Sequence, residues 1–578
     1  MTKATPDDTP RAQSSQPAMD QPKLMSSTLL MASGTLVSRF LGAVRVLLAG
    51  YLFISQSVQA DIFSIGTAIP NQMYLLFAGG ILNAILVPQL MKSMRHDADG
   101  GQGFSDRIVT LFGLIILSLT ILLIIFHRYV VALVTSSSWR DPARAVHYQS
   151  LTTLTLLVLP QVFFFGAFFL GGQILNSRGS FGPMMWAPAI NNVIQVAMLA
   201  TYAVIWGFHT DTQQAFTSAQ IVLLGVGSLI GIIAQAAILI PFLKKVGFRY
   251  RPRFDFLHTG LGATARVATW AIAMVLATQV NYIIVTRMAG GATHGGSGAG
   301  SYILGASMLI FFLPHSLLTV SLATALLPTL SHLAAGEQWE NFMNQLQSSL
   351  RIIYAAIIPL AFLILVVGLP VGVAGWGIER GGAYIGWTLV VFSLGLIPLT
   401  LQHLMDRVFF SMSNTRTPFF IEVLFVSITS GIAILGVVVF SVPSVWVAPC
   451  IAGGYVLGYV GAAFLGWRLF KRAIPFEKKF FLTGHMMRLV AISIPSALAA
   501  GLVVWGTIKP VIAASFHPEL ASELPIPGQG MALIGSVSAL IVGCGVYLVL
   551  AKLFKISEIT ELMDLVRRKL RKEPTGGV

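Results

Sequence analysis

The chain has 578 residues, of which 55% are hydrophobic and only 10% charged, and its mean hydropathy is +0.79. A soluble domain carries about a quarter charged residues, so this composition excludes an ordinary soluble enzyme and marks a polytopic membrane protein. The net charge of +15 would suit a nucleic-acid binder, but cytosolic loops give many membrane proteins the same excess.

Residues 1–26 are polar and lack an apolar h-region, which predicts a disordered cytosolic tail rather than a cleaved signal peptide. A membrane-crossing helix needs about 20 apolar residues. The chain offers fourteen such stretches, near 27–54, 61–92, 107–130, 148–175, 183–206, 219–243, 264–287, 301–332, 346–372, 384–412, 418–441, 446–470, 486–508 and 530–553. The stretch GGATHGGSGAG (290–300) reads as a flexible loop; it follows no strand, which rules out a phosphate-binding loop. GVGSLIG (225–231) and Gly454-x-x-x-Gly458 read as small-residue helix packing. Beyond the last span, Ile559, Leu562, Met563, Val566 and Leu570 share one face of an amphipathic basic tail (556–578), suited to the inner leaflet.

With the N-terminus inside, the inner segments hold about 28 of the 37 Lys and Arg residues and the outer loops about 6. This bias places both termini in the cytosol and makes the protein a multi-pass component of the cell membrane. It also explains the basic charge without nucleic acid. The loop between spans 3 and 4, with Arg128, Arg140 and Arg144, runs against it.

An internal repeat is legible. Residues 71–90 and 311–330 both end in an apolar-Pro-x-Leu signature, with Pro88 and Pro328 240 positions apart. LNSRGSFGP (175–183) and SMSNTRTP (411–418) close spans 4 and 10, with Pro183 and Pro418 235 apart. Six spans separate the copies, and an even number preserves orientation. The expected fold is therefore all-α: two parallel six-helix lobes related by a pseudo-two-fold axis, plus two extra C-terminal helices. The lobes occupy 27–243 (spans 1–6) and 244–471 (a basic loop and spans 7–12), and 472–555 carries spans 13 and 14. Transporters of this build bind substrate between their halves.

Polar groups inside spans are the functional candidates. An Arg at mid-span costs about 2.5–3.5 kcal/mol unless it finds water or a partner. Arg39 and Arg45 share span 1, roughly 120° out of phase and about 9 Å apart along the axis, so both could line one wet cavity. Asp61 opens span 2, where it caps the helix or joins that cavity. Asn71 follows Pro70 in the same span, and His315 follows Pro314 in span 8. In span 10, His403 and Arg407 stand four residues apart on one face, with Asp406 about 100° away. Glu422 in span 11 is a partner for Arg407, and Asn281 in span 7 for a neighbouring helix. Cys450 and Cys544 lie in separate spans, forming neither a metal site nor a disulfide framework. No GxxxxGK[ST], HExxH or CxxC occurs, so nothing points to an ATPase or a metalloenzyme.

SRFLGAVR in span 1, ADIFSIGTAIPNQMYLLFAGGILNAILVPQL in span 2, GFRYRPRFDF before span 7, LPHSLLTVSLATALLPTLS in span 8 and DRVFFSMSNTRTPF in span 10 together resemble the MurJ (MviN) family of lipid II flippases. That family belongs to the MATE-like transporter superfamily, and spans 2 and 8 look most like its actinobacterial members. The resemblance covers nearly all of the chain from about residue 27. It implies a transporter, not an enzyme, that moves undecaprenyl-pyrophosphate-linked peptidoglycan precursor (lipid II) from the inner to the outer leaflet through a central cationic cavity. Arg39, Arg45 and Asp61 match residues the family uses, and spans 13 and 14 would hold the lipid tail. Asn71 and His315 are added here as substrate-binding candidates, and His403, Asp406, Arg407 and Glu422 as a polar cluster. No cofactor is expected; a monovalent cation or the membrane potential would supply the drive, and cell-wall synthesis proteins are candidate partners.

The chain departs from the family pattern in three places. Val46 stands where many members carry Asp after the second span 1 arginine. Met73, Tyr74 and Leu75 occupy a region where many carry two arginines, and Met308 and Leu309 replace an Asp-Arg pair. Three other readings therefore stay open: a polysaccharide-lipid flippase of the same superfamily, a membrane glycosyltransferase, and a non-transporting cell-wall scaffold. A cation–drug antiporter would want acidic cavity residues, and the span 1 arginines argue against it.

Overall fold

The computed structural model describes residues 21–76, 90, 93, 99–209, 211, 213–256, 261–295, 298–474, 482–516 and 528–560, with 21–32, 76, 261–268, 294–295, 482–483 and 514–516 described by backbone alone. Among these residues the structure is helical, and no strand occurs. The first lobe comprises α1 (Gln21–Phe53), α2 (Val58–Leu76), α3 (Gln102–Ile125), the short α4 (His127–Val134), α5 (Ala145–Val158), α6 (Gln161–Ser177), α7 (Gly182–Trp206), α8 (Ser218–Ala237) and α9 (Leu239–Lys245). The second lobe comprises α10 (Leu261–Ala289), α11 (Ser301–Pro314), α12 (Val320–Ala335), α13 (Trp339–Trp376), α14 (Gly382–Ser393), α15 (Leu396–Ser411), α16 (Arg416–Ile434) and α17 (Val447–Ala473). Two further helices follow, α18 (Leu482–Phe516) and α19 (Gly528–Leu553).

Twelve helical segments among the described residues are long and apolar enough to cross a membrane. The pair α14–α15, bent by 54°, makes a thirteenth. The fourteenth expected span begins in α2; the remainder of its stretch, with Pro88, falls outside the described residues apart from Leu90 and Ser93. One boundary differs from expectation. As described, helix α1 already runs at Gln21, so residues 21–26 of the stretch assigned to a disordered tail are helical. Of the C-terminal amphipathic face only Ile559 is described, and it is buried; positions 562–570 lie outside.

Packing repeats as the sequence does. In the first lobe α1 packs on α7, α2 on α5, and α5 and α7 both on α8; in the second, α10 packs on α16, α11 on α14, and α14 and α16 both on α17. Each pair recurs six spans later in the same order, as parallel six-helix lobes related by a pseudo-two-fold axis require. Small residues permit the close crossings: a Cβ on Gly386 of α14 would stand 2.6 Å from the Leu369 Cα of α13, and one on Gly458 of α17 would stand 3.1 Å from the Phe425 carbonyl oxygen. Helices α18 and α19 pack on each other and on α13, where the Tyr547 hydroxyl donates to the Ala355 carbonyl at 2.6 Å.

Span 8 is interrupted. Pro314 ends α11, and residues His315–Thr319 form a π-turn before α12 resumes the helix. Proline removes a donor from the helical ladder, and such wide turns re-aim side chains locally.

Candidate functional site

A cavity of about 530 Å³ lies between the lobes, with Arg45, Asn71, Gln161, Gln195 and Gln235 from the first and Tyr302 and Gly305 from the second in its wall. The Arg45 Nη1 donates to Gln195 Oε1 at 3.3 Å, and no carboxylate pairs with Arg45 among the described residues. A guanidinium inside a span normally finds an ion partner; half-buried Arg45 has amides beside it instead. Gln195 in turn donates to Asn191 at 3.0 Å, and the buried Gln161 Nε2 has no hydrogen-bond partner among the described residues. The wall thus combines one cation with one unspent amide donor, that of Gln161.

A second cavity of about 530 Å³ lies on the other side of the α2–α11 seam, sharing Ser64, Ala68 and Gly305 with the first. Its wall carries Asn281, Gln402, His403, Asp406, Glu422 and Tyr455. The first cavity is therefore basic, and the second carries carboxylates.

The structure redistributes the sequence candidates. Arg45 and Asn71 share the first cavity. Arg39 does not line it: the side chain is half-buried one and a half turns away, and its Nε has no partner among the described residues. Asp61 lines neither cavity. It is fully buried and accepts the Tyr302 backbone N–H at 2.8 Å and the Thr293 hydroxyl at 3.1 Å. It therefore caps the N-terminus of α11, in the opposite lobe, instead of its own helix. Glycine is required at 300 because a Cβ there would run into this carboxylate. The 290–300 stretch was read from sequence as a flexible loop, yet among its described residues Thr293 is fully buried and Thr293 and Gly300 pack against Asp61.

His315 also lines neither cavity; its ring meets His403 edge-on at 5.1 Å between centroids. On α15, His403 and Asp406 face the second cavity together and Arg407 does not, the reverse of the expected i, i+4 pairing. Residues three and four positions on lie about 60° to one side and 40° to the other of His403 on a helix, so Asp406 can share its face as well as Arg407, and here it is Asp406 that does. Glu422 accepts from Gln402 at 3.5 Å, and no Glu422–Arg407 ion pair occurs among the described residues. Asn281 takes the Ser430 hydroxyl at 3.0 Å and donates to Tyr455 at 3.3 Å, joining three helices. Gln161, Gln195, Gln235 and Tyr302 were missed by sequence reasoning. Amides recurring in apolar helices were the available signal.

The lobes are latched at one end of the bundle. Ser55 N donates to the Arg380 carbonyl at 3.1 Å, Gln56 to the Glu379 carbonyl at 3.0 Å, and Trp139 to the Gly290 carbonyl at 2.7 Å. The Arg287 Nη1 donates to the Leu133 carbonyl at 3.0 Å, and the Asp61 bonds lie at the same end. This is the end that carries the loop between spans 1 and 2.

Comparison with known proteins decides the family. The profile of the family described as Lipid II flippase MurJ matches residues 49–517. The chain belongs to the lipid II flippase MurJ family. The matched segment begins just after Arg45, so both span 1 arginines precede it. A probable lipid II flippase MurJ of Rhizobium meliloti is 25% identical over 529 residues, covering 89% of this chain and 92% of its own. The Haemophilus influenzae relative of the same description is 24% identical, covering 70% and 79%. Among solved structures, a lipid II flippase MurJ in an inward closed conformation superposes with a TM-score of 0.67 at 18% identity, covering 91% of this chain and 98% of that one. An inward-facing MATE family multidrug transporter gives 0.57 at 13%, covering 75% and 94%. The likeness to both establishes the two-lobe fold.

Proposed function

We propose that this family member carries lipid II from the inner to the outer leaflet by alternating access, with its pyrophosphate held at Arg45 in the cavity between the lobes. One observation carries the reading: a guanidinium that opens, without a carboxylate partner among the described residues, into a polar space walled by both lobes. A guanidinium matches phosphate oxygens through charge-assisted hydrogen bonds. The amides of Gln161, Gln195 and Gln235 suit the hydroxyls and amides of a sugar–peptide head. The lipid tail stays in the bilayer, and α18–α19 offer it a surface beside the second lobe.

The lysine and arginine bias supports placing both termini in the cytosol and the latched end outside. The state described is then closed to the exterior. Breaking the Asp61, Ser55, Gln56 and Trp139 contacts would open the cavity outward. With the interior negative, moving each negative charge outward across the full field gains about 2.3 kcal/mol per 100 mV, so the potential supplies the drive without ATP.

Proteoliposomes loaded with fluorescent lipid II test the reading. Arg45→Ala should lower transfer at least tenfold and Arg45→Lys should restore part of it, because lysine keeps the charge but loses the planar fork. Undiminished transfer by Arg45→Ala removes the residue from the mechanism.

A further inference from the structure

The segment GFRYRPRF (247–254) joins the lobes at the end opposite the latch, and no helix runs through 248–255. Its side chains alternate in kind. Phe248, Tyr250, Pro252 and Phe254 line an apolar groove of about 640 Å³ walled by α3, α6 and α8–α9. Arg249, Arg251 and Arg253 line a separate pocket of about 840 Å³ together with Arg178. An extended chain sends successive side chains to opposite faces, so one short strap presents an apolar face and a cationic face.

The strap is held by its backbone. The Arg249 carbonyl accepts from Gln102 Nε2 at 3.0 Å, Arg251 N donates to Asp106 Oδ1 at 3.2 Å, and Arg253 N donates to Thr110 Oγ1 at 3.1 Å. Arg107 and Asp255 close its far end at 2.6 Å. The pocket's two carboxylates are already engaged. Asp99 accepts the Gly103 and Gly101 amides at 2.7 and 3.0 Å, which hold it below the usual carboxylate range, and Asp106 takes the strap. Four arginines therefore face two occupied aspartates, and no ion pair of Arg249 or Arg251 occurs among the described residues. The groove beside them opens on bilayer-facing Leu114, Leu117 and Ile240, each more than 40% exposed, and it has room: a Cβ on Gly113 meets nothing within 4 Å.

We propose that this strap retains an anionic glycerophospholipid, its phosphate at Arg249 and Arg251 and an acyl chain in the groove under Phe248 and Tyr250. A cationic face backed by an apolar groove on the other side of one short strap matches a lipid, since a soluble phosphate would leave the groove unused. Arginine stems are long enough to bring their heads round the strap to the interface. The site lies outside both interlobe cavities and does not depend on which substrate they carry.

Native mass spectrometry of the full chain, released from bilayers of equal phosphatidylglycerol and phosphatidylcholine, tests it. The protein should retain phosphatidylglycerol at least fivefold over phosphatidylcholine. The double variant Arg249→Gln, Arg251→Gln should fall below a twofold preference, and its exposed positions leave the fold alone. Gly113→Phe, which fills the groove, should lose the bound lipid with all four arginines intact; Gly113→Leu serves if the larger side chain prevents folding. An unchanged ratio in the arginine variant overturns the proposal. So does full retention in a folded groove variant, displacement by glycerol 3-phosphate as effective as by the lipid, or adducts with the mass of a polyprenyl pyrophosphate in place of phospholipid.

Discussion

Asp61→Asn separates latch from cavity, because Asp61 touches the opposite lobe and lines neither cavity. The carboxylate accepts two hydrogen bonds that exist only while the lobes are shut at this end. A hydrogen bond to a charged group contributes about 1.5–3 kcal/mol and a neutral one about 0.5–1.5. Asparagine keeps the shape and makes both bonds neutral, so the shut state should lose about 2 kcal/mol relative to the open one. At 1.4 kcal/mol per decade, that shifts the open-to-shut ratio roughly 30-fold. Spin labels at Ser138 and Ser444, on loops of opposite lobes at the latched end, would report the change by pulsed distance measurement. A long-distance population should appear in Asp61→Asn and grow little further on adding Thr293→Val, since that variant breaks the same contact. An unchanged distance distribution, or full additivity of the two substitutions, would refute the coupling.

Other expectations concern different parts of the molecule. Gly386→Leu should destabilise the second lobe by about 1–3 kcal/mol, seen as a lower unfolding temperature, because its Cβ would stand 2.6 Å from the Leu369 Cα. Gln195→Ala should slow lipid II transfer only a few-fold, since it removes one long charge-assisted bond, 3.3 Å from Arg45, and leaves the cation in place. The hydrogen bond from Arg107 depresses the Asp255 carboxyl; this contribution is fully present above the unfolded value of about 4 and is lost as pH falls through the lower folded value. A spin label on the strap should therefore stay immobile from neutral pH to about 5 and loosen only in stronger acid; loosening near pH 6 would exclude the pair as its anchor.

The lobes were legible because their signals are periodic: apolar length, basic loops and a proline spacing that recurs after six spans all survive in one sequence. Arg45 was legible because an arginine inside a span needs a partner or water. Asp61 was seen, but its destination was not. Its partners Thr293 and Tyr302 are more than 230 positions away, in or beside a glycine-rich stretch whose composition reads as slack but whose Gly290, Gly298 and Gly300 serve close packing. The place of Arg407 was not legible for a different reason: spacings of three and four both fall near one helix face, so sequence alone did not decide whether Asp406 or Arg407 joins His403 at the cavity. The strap's alternation was in plain view, but the groove that gives it meaning is built from α3, α6 and α8–α9, which no local pattern brings together.

The central claim is that the pyrophosphate of lipid II is held at Arg45 between the lobes. Photo-cross-linking from position 235 in the cavity wall, against position 204 on the lipid-facing side of α7, where Val204 is 86% exposed, tests it most directly. The account predicts a lipid II adduct from 235, not from 204, that disappears in Arg45→Ala. Equal adducts from both positions, or a cavity adduct untouched by loss of the guanidinium, would contradict it.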